Sequence, residues 1–279
     1  MFPWSHDFTF DAGHLVFLGA FYLVLLVIAV SVALAAYRTV RDVRQRRQQA
    51  IQWHADFEDL PVSARRCRHE LTGEVKSRTC PHGFDCRACE THPAFVALRP
   101  PEFEAEAGTG TYYGLAMPLD RRYHRGHTWA KEEEDGTITV GLDDLGRRLL
   151  GRPDHLELPG SGTRVEANGV AIRAMKGKAD LRLLSPVDGT VVAVGSLEAG
   201  WLYRIAPPEG GLDLRHLLSG AEVRPWILRE MERLQHVLAA GNAGVGLALA
   251  DGGTPVEDLS AAIPEKDWDR AFGEMFLEP

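Results

Sequence analysis

The sequence has no Lys or Arg before Arg38, no cysteine outside one 23-residue stretch, and no Gly or Pro between Tyr37 and Pro61. It also lacks an excess of positive charge: 31 basic side chains face 39 acidic ones, a net charge of −8. That balance argues against a nucleic-acid partner, because such binding rests on neutralising phosphates. No P-loop, HExxH or Ser-His-Asp set appears, so the chain does not read as an enzyme. A run without charge does appear, LVFLGAFYLVLLVIAVSVALAA from Leu15 to Ala36. Its 22 residues match the roughly 20 that an α-helix needs to cross a bilayer's hydrocarbon layer.

No polar stripe interrupts this run, which excludes an amphipathic core helix. A cleaved signal peptide would place its basic residues first, and here they come after. Asp7 and Asp11 precede the span, while Arg38, Arg41, Arg44, Arg46 and Arg47 follow it. The positive-inside rule then predicts a single-pass protein of the inner (cytoplasmic) membrane. Its N-terminus lies outside and everything after the span is cytoplasmic. The arginines form a collar suited to the anionic headgroups of the lipid bilayer.

Cys67, Cys80, Cys86 and Cys89 follow the pattern C-x12-C-x5-C-x2-C. In a reducing compartment four such thiols suit a metal better than two disulfides. The spacing predicts a structural zinc site, with an iron–sulfur cluster as the alternative that the same four thiolates could hold. His69, His82 and His92 are nearby donors, and a redox pair at Cys86 and Cys89 is the weakest reading.

Beyond a Pro-rich linker, short β-rich runs occupy Thr137–Leu142, Leu181–Leu184, Thr190–Val194 and Trp201–Ile205, with a helix over Leu142–Leu150. Asp143 and Asp144 sit where they would cap that helix. After Ser219, a plausible N-cap, the apolar residues Val223, Ile227, Met231, Leu234 and Leu238 recur at helical spacing, with Arg229, Glu230, Glu232 and Arg233 on the other face. A hairpin over Asp251–Gly253 and a short terminal helix complete the pattern.

The segments YHRGHTWAKEEEDGTITVGLDDLGRRLLG, ELPGSGTRVEANG and LLSPVDGTVVAVG, in that order, resemble the H-protein of the glycine cleavage system over about Asp120–Pro207. The resemblance implies a lipoyl-type β fold in which a lysine at a hairpin tip carries lipoic acid on a swinging arm. Counting from the SPVDG segment at Ser185, Pro186 and Gly189 places that lysine at Lys178, with Lys176 the less favoured choice. Met175 stands where the family has a glutamate, and Arg173 and Lys176 make the sequence around the tip basic. The loop Ser196–Ala199 is shorter than the family's. His127 and Trp129 match the family's His-x-Trp, read as a packing element.

The expected fold class is α+β: one N-terminal transmembrane helix, a small Cys-rich metal-binding segment, an H-protein-like β domain and a C-terminal helical extension. The expected boundaries are an extracytoplasmic N-terminus (1–14), the span (15–36), a basic juxtamembrane helix (37–66), the cysteine segment (67–92), a linker (93–119), the β domain (120–209) and the extension (210–279). The expected function is a membrane-anchored lipoyl-type carrier or docking subunit, working with protein partners in a membrane-associated enzyme complex. The alternative is a non-lipoylated adaptor that recruits a redox enzyme to the membrane.

Overall fold

A computed structural model describes residues 11–44, 62, 65–99, 110–240 and 255–277. The chain divides into two units, residues 1–53 and 54–279. In the first, helix α1 (Ala12–Arg44) is apolar and exposed along Ala12–Tyr37, with a mean hydropathy of 2.8. At 1.5 Å per residue those 26 residues reach about 39 Å, enough to cross a bilayer. Of the juxtamembrane helix expected to residue 66, the part to Arg44 is helical, residues 45–61, 63 and 64 lie outside the described residues, and Val62, Arg65 and Arg66 stand in turns and a bridge instead of a helix.

The second unit opens with two short helices, α2 (Arg68–Leu71) and α3 (His92–Val96), so the stretch read as a linker begins in a helical turn. A two-stranded ribbon, β1 (Thr111–Tyr112) with β2 (Leu115–Ala116), follows. A six-stranded antiparallel sheet has the order β3 (Arg122–Tyr123), β4 (Thr128–Glu132), β5 (Ile138–Leu142), β11 (Trp201–Ala206), β10 (Gly189–Ser196) and β7 (Arg164–Val165). A second sheet pairs β6 (His155–Glu157), β8 (Val170–Lys176) and β9 (Ala179–Leu184). Ile138, Val140, Val165, Ile172, Leu181, Leu183, Val191, Tyr203 and Ile205 line one shared core. Their period-2 placement is what turns each short run into a strand with one buried face.

Helix α4 (Asp144–Leu150) links β5 to β6. Its N-cap is Asp143, whose carboxylate accepts from the Gly146 amide at 2.6 Å, as the capping pattern predicts. Helix α5 (Val223–Ala240) is entered through a capping box in which Ser219 and Glu222 exchange bonds. Its stripe of Val223, Ile227, Met231, Leu234 and Leu238 is buried as expected. Glu230 corrects the expected polar face, since it is also buried. Its carboxylate accepts from Arg233 at 2.7 Å and lies 3.8 Å from His127 Nε2. The chain ends in α6 (Trp268–Phe276), and the expected hairpin at Asp251–Gly253 lies outside the described residues.

His127, wholly buried, ties the sheet to α5: its Nδ1 is 2.9 Å from Asp143 and its ring stacks on Trp226. Burial alone would lower its pKa, but the facing carboxylates of Asp143 and Glu230 win and raise it to about 9. Glu230 is shifted the other way, to about 2: burial opposes its charge, and Arg233 and His127 outweigh the burial.

This sets a sign for pH dependence. A histidine whose folded pKa exceeds its unfolded value contributes stability that is complete below about 6.5 and is lost as pH rises through about 9. Urea midpoints are therefore expected to fall between pH 6.5 and 9. His127→Gln should start lower and lose this slope, and an unchanged slope in that variant would contradict the assignment.

Candidate functional site

Strands β8 and β9 form a hairpin whose last pair is Lys176 with Ala179, leaving Gly177 and Lys178 as a two-residue loop. Gly177 has φ +57° while Lys178 keeps a negative φ, the arrangement of a turn with glycine first. The turn's geometry demands glycine on two counts. A side chain there would be strained by φ, and its Cβ would lie 2.9 Å from Glu265 Oε1 and 3.0 Å from the Trp268 ring. Asp154 braces the same turn. Its amide donates to Met175 O at 2.8 Å, and its carboxylate accepts from the Gly177 amide at 2.7 Å.

Position in the hairpin separates the two candidate lysines, one ending β8 and the other lying in the loop. Ile172, Ala174 and Lys176 point inward with Ala179 and Leu181, and Lys176 is only 8% exposed. Its ammonium donates to the carbonyls of Leu150 at 3.1 Å and Arg152 at 3.0 Å and sits 5.6 Å from the Trp268 ring centre. Lys178, one step past the strand, is exposed at the tip. The surroundings differ from the basic character expected of them. Lys176 is committed inward, Arg173 faces Asp180 at 4.0 Å, and Asp154 and Glu265 bring carboxylates to the turn. Neither Asp154 nor Glu265 could be found from local sequence, because they reach the turn from elements 24 residues before and 87 residues after Lys178.

The cysteine segment is folded onto the same unit. An isolated bridge pairs Arg66 with Thr79, and the amides of Cys67 and Cys80 donate to Arg78 O and Arg65 O at 2.8 and 2.7 Å. Cys80 and Phe84 join Leu184 and Leu277 in a small apolar cluster. The fully buried Arg125 guanidinium lies 3.7 Å above the Phe84 ring. Arg68 makes a buried ion pair with Glu222 at 2.5 Å, Arg99 reaches the same carboxylate at 2.8 Å, and Arg87 pairs with Asp188.

The thiols do not assemble as the zinc or iron–sulfur expectation required. Among the described residues, no group of three or more His, Cys, Asp or Glu is placed to hold a metal. Cys80 is near enough to raise the pKa of Cys67, both are near enough to raise that of Cys86, and each thiol also has contacts of its own. Cys80 Sγ accepts from the Phe84 amide at 3.3 Å, and Cys89 Sγ contacts Thr91 Oγ1 at 3.3 Å. Burial pushes Cys86 up to about 11 although the neighbouring Arg68 pulls it down. Burial likewise raises Cys67. At Cys89 burial is outweighed by hydrogen bonds from Thr91, and its pKa falls. His69 and His92 hydrogen-bond to each other at 2.8 Å, and burial lowers His92 to about 4. The arginine ion pairs join the cysteine segment to Glu222 and Asp188.

Residues 121–199 match the family model described as Glycine cleavage H-protein. A glycine cleavage system H protein of Xanthomonas euvesicatoria is 43% identical over 82 residues, which are 29% of this chain and 61% of that protein. The glycine cleavage system H protein 2 of Pseudomonas syringae is 34% identical over 117 residues, covering 38% of this chain and 91% of that protein. The crystal structure of a glycine cleavage system H protein from Mycobacterium marinum superposes at a TM-score of 0.33 and 26% identity, over 38% of this chain and 94% of its own.

The two lysines should separate in stability measurements. Lys176→Met leaves the Leu150 and Arg152 carbonyls without their donor and is expected to cost about 1–3 kcal/mol. Lys178→Met should stay within about 0.5 kcal/mol of wild type. Urea unfolding of both variants checks this, and equal losses would contradict the buried and exposed placements of the two lysines.

Proposed function

Because the chain belongs to the glycine cleavage H-protein family through its β domain, we propose that Lys178 is a lipoyl-attachment lysine on a membrane-tethered carrier. The observation that carries this reading is the contrast at the hairpin: Lys178 stands exposed on a braced turn, while Lys176 is held inside. The residues fit a covalently attached arm. An attachment lysine needs an open tip and a stem that ties up no buried partner, and the turn supplies both.

Attachment is an acyl transfer to nitrogen. The Lys178 amine, after losing a proton to solvent, forms a C–N bond with the carbonyl of a carboxyl-activated lipoyl or octanoyl adenylate; the C–O bond to phosphate breaks and AMP leaves. When bound, the lipoyl dithiolane supplies a reducible disulfide that can carry a one-carbon or acyl fragment between enzymes. The chain's own contribution is presentation. The turn holds the lysine stem clear of the sheet, and the inward hydrogen bonds of Lys176 remove the competing amine two residues away.

The apolar helix α1 supports a membrane tether, and the arginines after Tyr37 favour the orientation with residues 54–279 in the cytoplasm. Tethering raises the carrier's effective concentration near partners in a membrane-associated enzyme complex and removes free diffusion. The cysteine segment serves this reading as a folded flank of the carrier domain.

Intact mass of the full chain from its native host is expected to exceed the sequence mass by one lipoyl amide. Lys178→Arg should abolish the increment and Lys176→Arg should retain it. Absence of any increment in wild type would overturn the carrier and leave the adaptor reading. Separately, the chain should stay with membranes through alkaline carbonate washing, and deletion of residues 1–44 should release it.

A further inference from the structure

The C-terminal element lies outside the residues that match the family, yet it reaches the carrier turn. Helix α6 packs against β9, the strand that leaves Lys178, and buries Ala271, Phe272, Met275 and Phe276. At its start the Trp268 indole is fixed by its own segment: Nε1 donates to Ser260 O at 3.1 Å and Ile263 O at 2.9 Å. The ring edge then meets Gly177, its face receives the Lys176 ammonium, and Glu265 lies against the same glycine. A hairpin tip that projects past its sheet is where fraying is cheapest. Here both loop residues stay exposed, and it is the glycine's Cβ side, not the lysine, that faces Glu265 and Trp268.

Resting on the carrier reading above, we propose that the element Glu265–Phe276 is a buttress for the carrier hairpin. Trp268 and Glu265 act as positioning residues that hold the Gly177–Lys178 turn in the conformation presented to modifying and partner enzymes. Contact with Gly177 steadies the turn while leaving the Lys178 stem open. Acyl transfer depends steeply on where the amine sits within a partner's site, so a loosened tip slows an enzyme that must seize it. It leaves a small reagent, which needs only an exposed amine, unaffected.

The test uses the full chain in detergent with Trp268→Ala, Trp268→Phe, Glu265→Ala and Arg270→Ala, the last on the same helix and away from the turn. Two readouts are taken: hydrogen exchange of the amides from Lys176 to Ala179, and acylation of Lys178 by a lipoate–protein ligase with ATP and lipoate. In Trp268→Ala the turn amides should exchange about tenfold faster while core amides such as Val140 and Tyr203 do not change. Ligase kcat/KM should fall about tenfold, whereas acetylation of Lys178 by acetic anhydride should proceed at the wild-type rate. Trp268→Phe should recover most of both losses, Glu265→Ala should show a smaller loss, and Arg270→Ala should show none. Wild-type turn exchange in Trp268→Ala, or exchange that rises equally in the core, overturns the buttress. Wild-type ligase kinetics in that variant overturn its positioning role and leave the carrier reading intact. If the ligase does not acylate wild type at all, the carrier reading fails, and the exchange data alone decide whether the turn is buttressed.

Discussion

The β hairpin depends on a two-residue turn that glycine begins with least strain. Gly177 takes a left-handed φ in a space bounded by Glu265 and Trp268, and that single constraint fixes the register of β8 against β9. Register then fixes which residues lie in the strand and which in the loop. With Lys176 opposite Ala179, the first lysine ends β8 pointing inward, where two carbonyls receive it, and the second falls in the loop at the tip. A slip of one residue would turn the inward set of β8 outward, because strand side chains alternate faces. Asp154 bonds to the hairpin on both sides of Lys176, at Met175 and Gly177.

Much of this fold is legible in the sequence because its causes are local. The alternation in ITVGL and WLYRI, the Asp143 cap, the Ser219 capping box and the stripe along α5 each announce an element within a few residues of itself. Counting from SPVDG points to Lys178, and in the structure that lysine is exposed while Lys176 is buried and hydrogen-bonded. What sequence could not show is long-range electrostatics. Glu230 occupies what looks like the polar face of α5, yet it is buried because His127 and Arg233 face it there. Asp154 and Glu265 reach the hairpin tip from separate elements, so the local sequence around Arg173 and Lys176 does not show the carboxylates there.

The cysteine segment shows the limit of spacing as evidence. Four thiols in a short run suggest a shared ion, since so small a piece has no core of its own. The segment instead borrows a core: Cys80 and Phe84 pack with Leu184 and Leu277, and Arg68, Arg87 and Arg99 fasten it to Glu222 and Asp188. Buried ion pairs of this kind cost desolvation and contribute more to a unique docking geometry than to net stability. The segment and the C-terminal helix both pack onto the family-like domain and both lie outside the residues that match the family model.

The central claim is that the turn, by burying Lys176 and leaving Lys178 in the loop, makes Lys178 the lysine of this hairpin offered for modification. Fragment-ion mass spectrometry of the peptide spanning Met175–Arg182, taken from the protein in native-host membranes, tests it most directly because it locates the modified atom's residue. The account predicts a lipoyl amide on Lys178 with Lys176 unmodified. A peptide modified on Lys176, or one with both lysines bare, would contradict it.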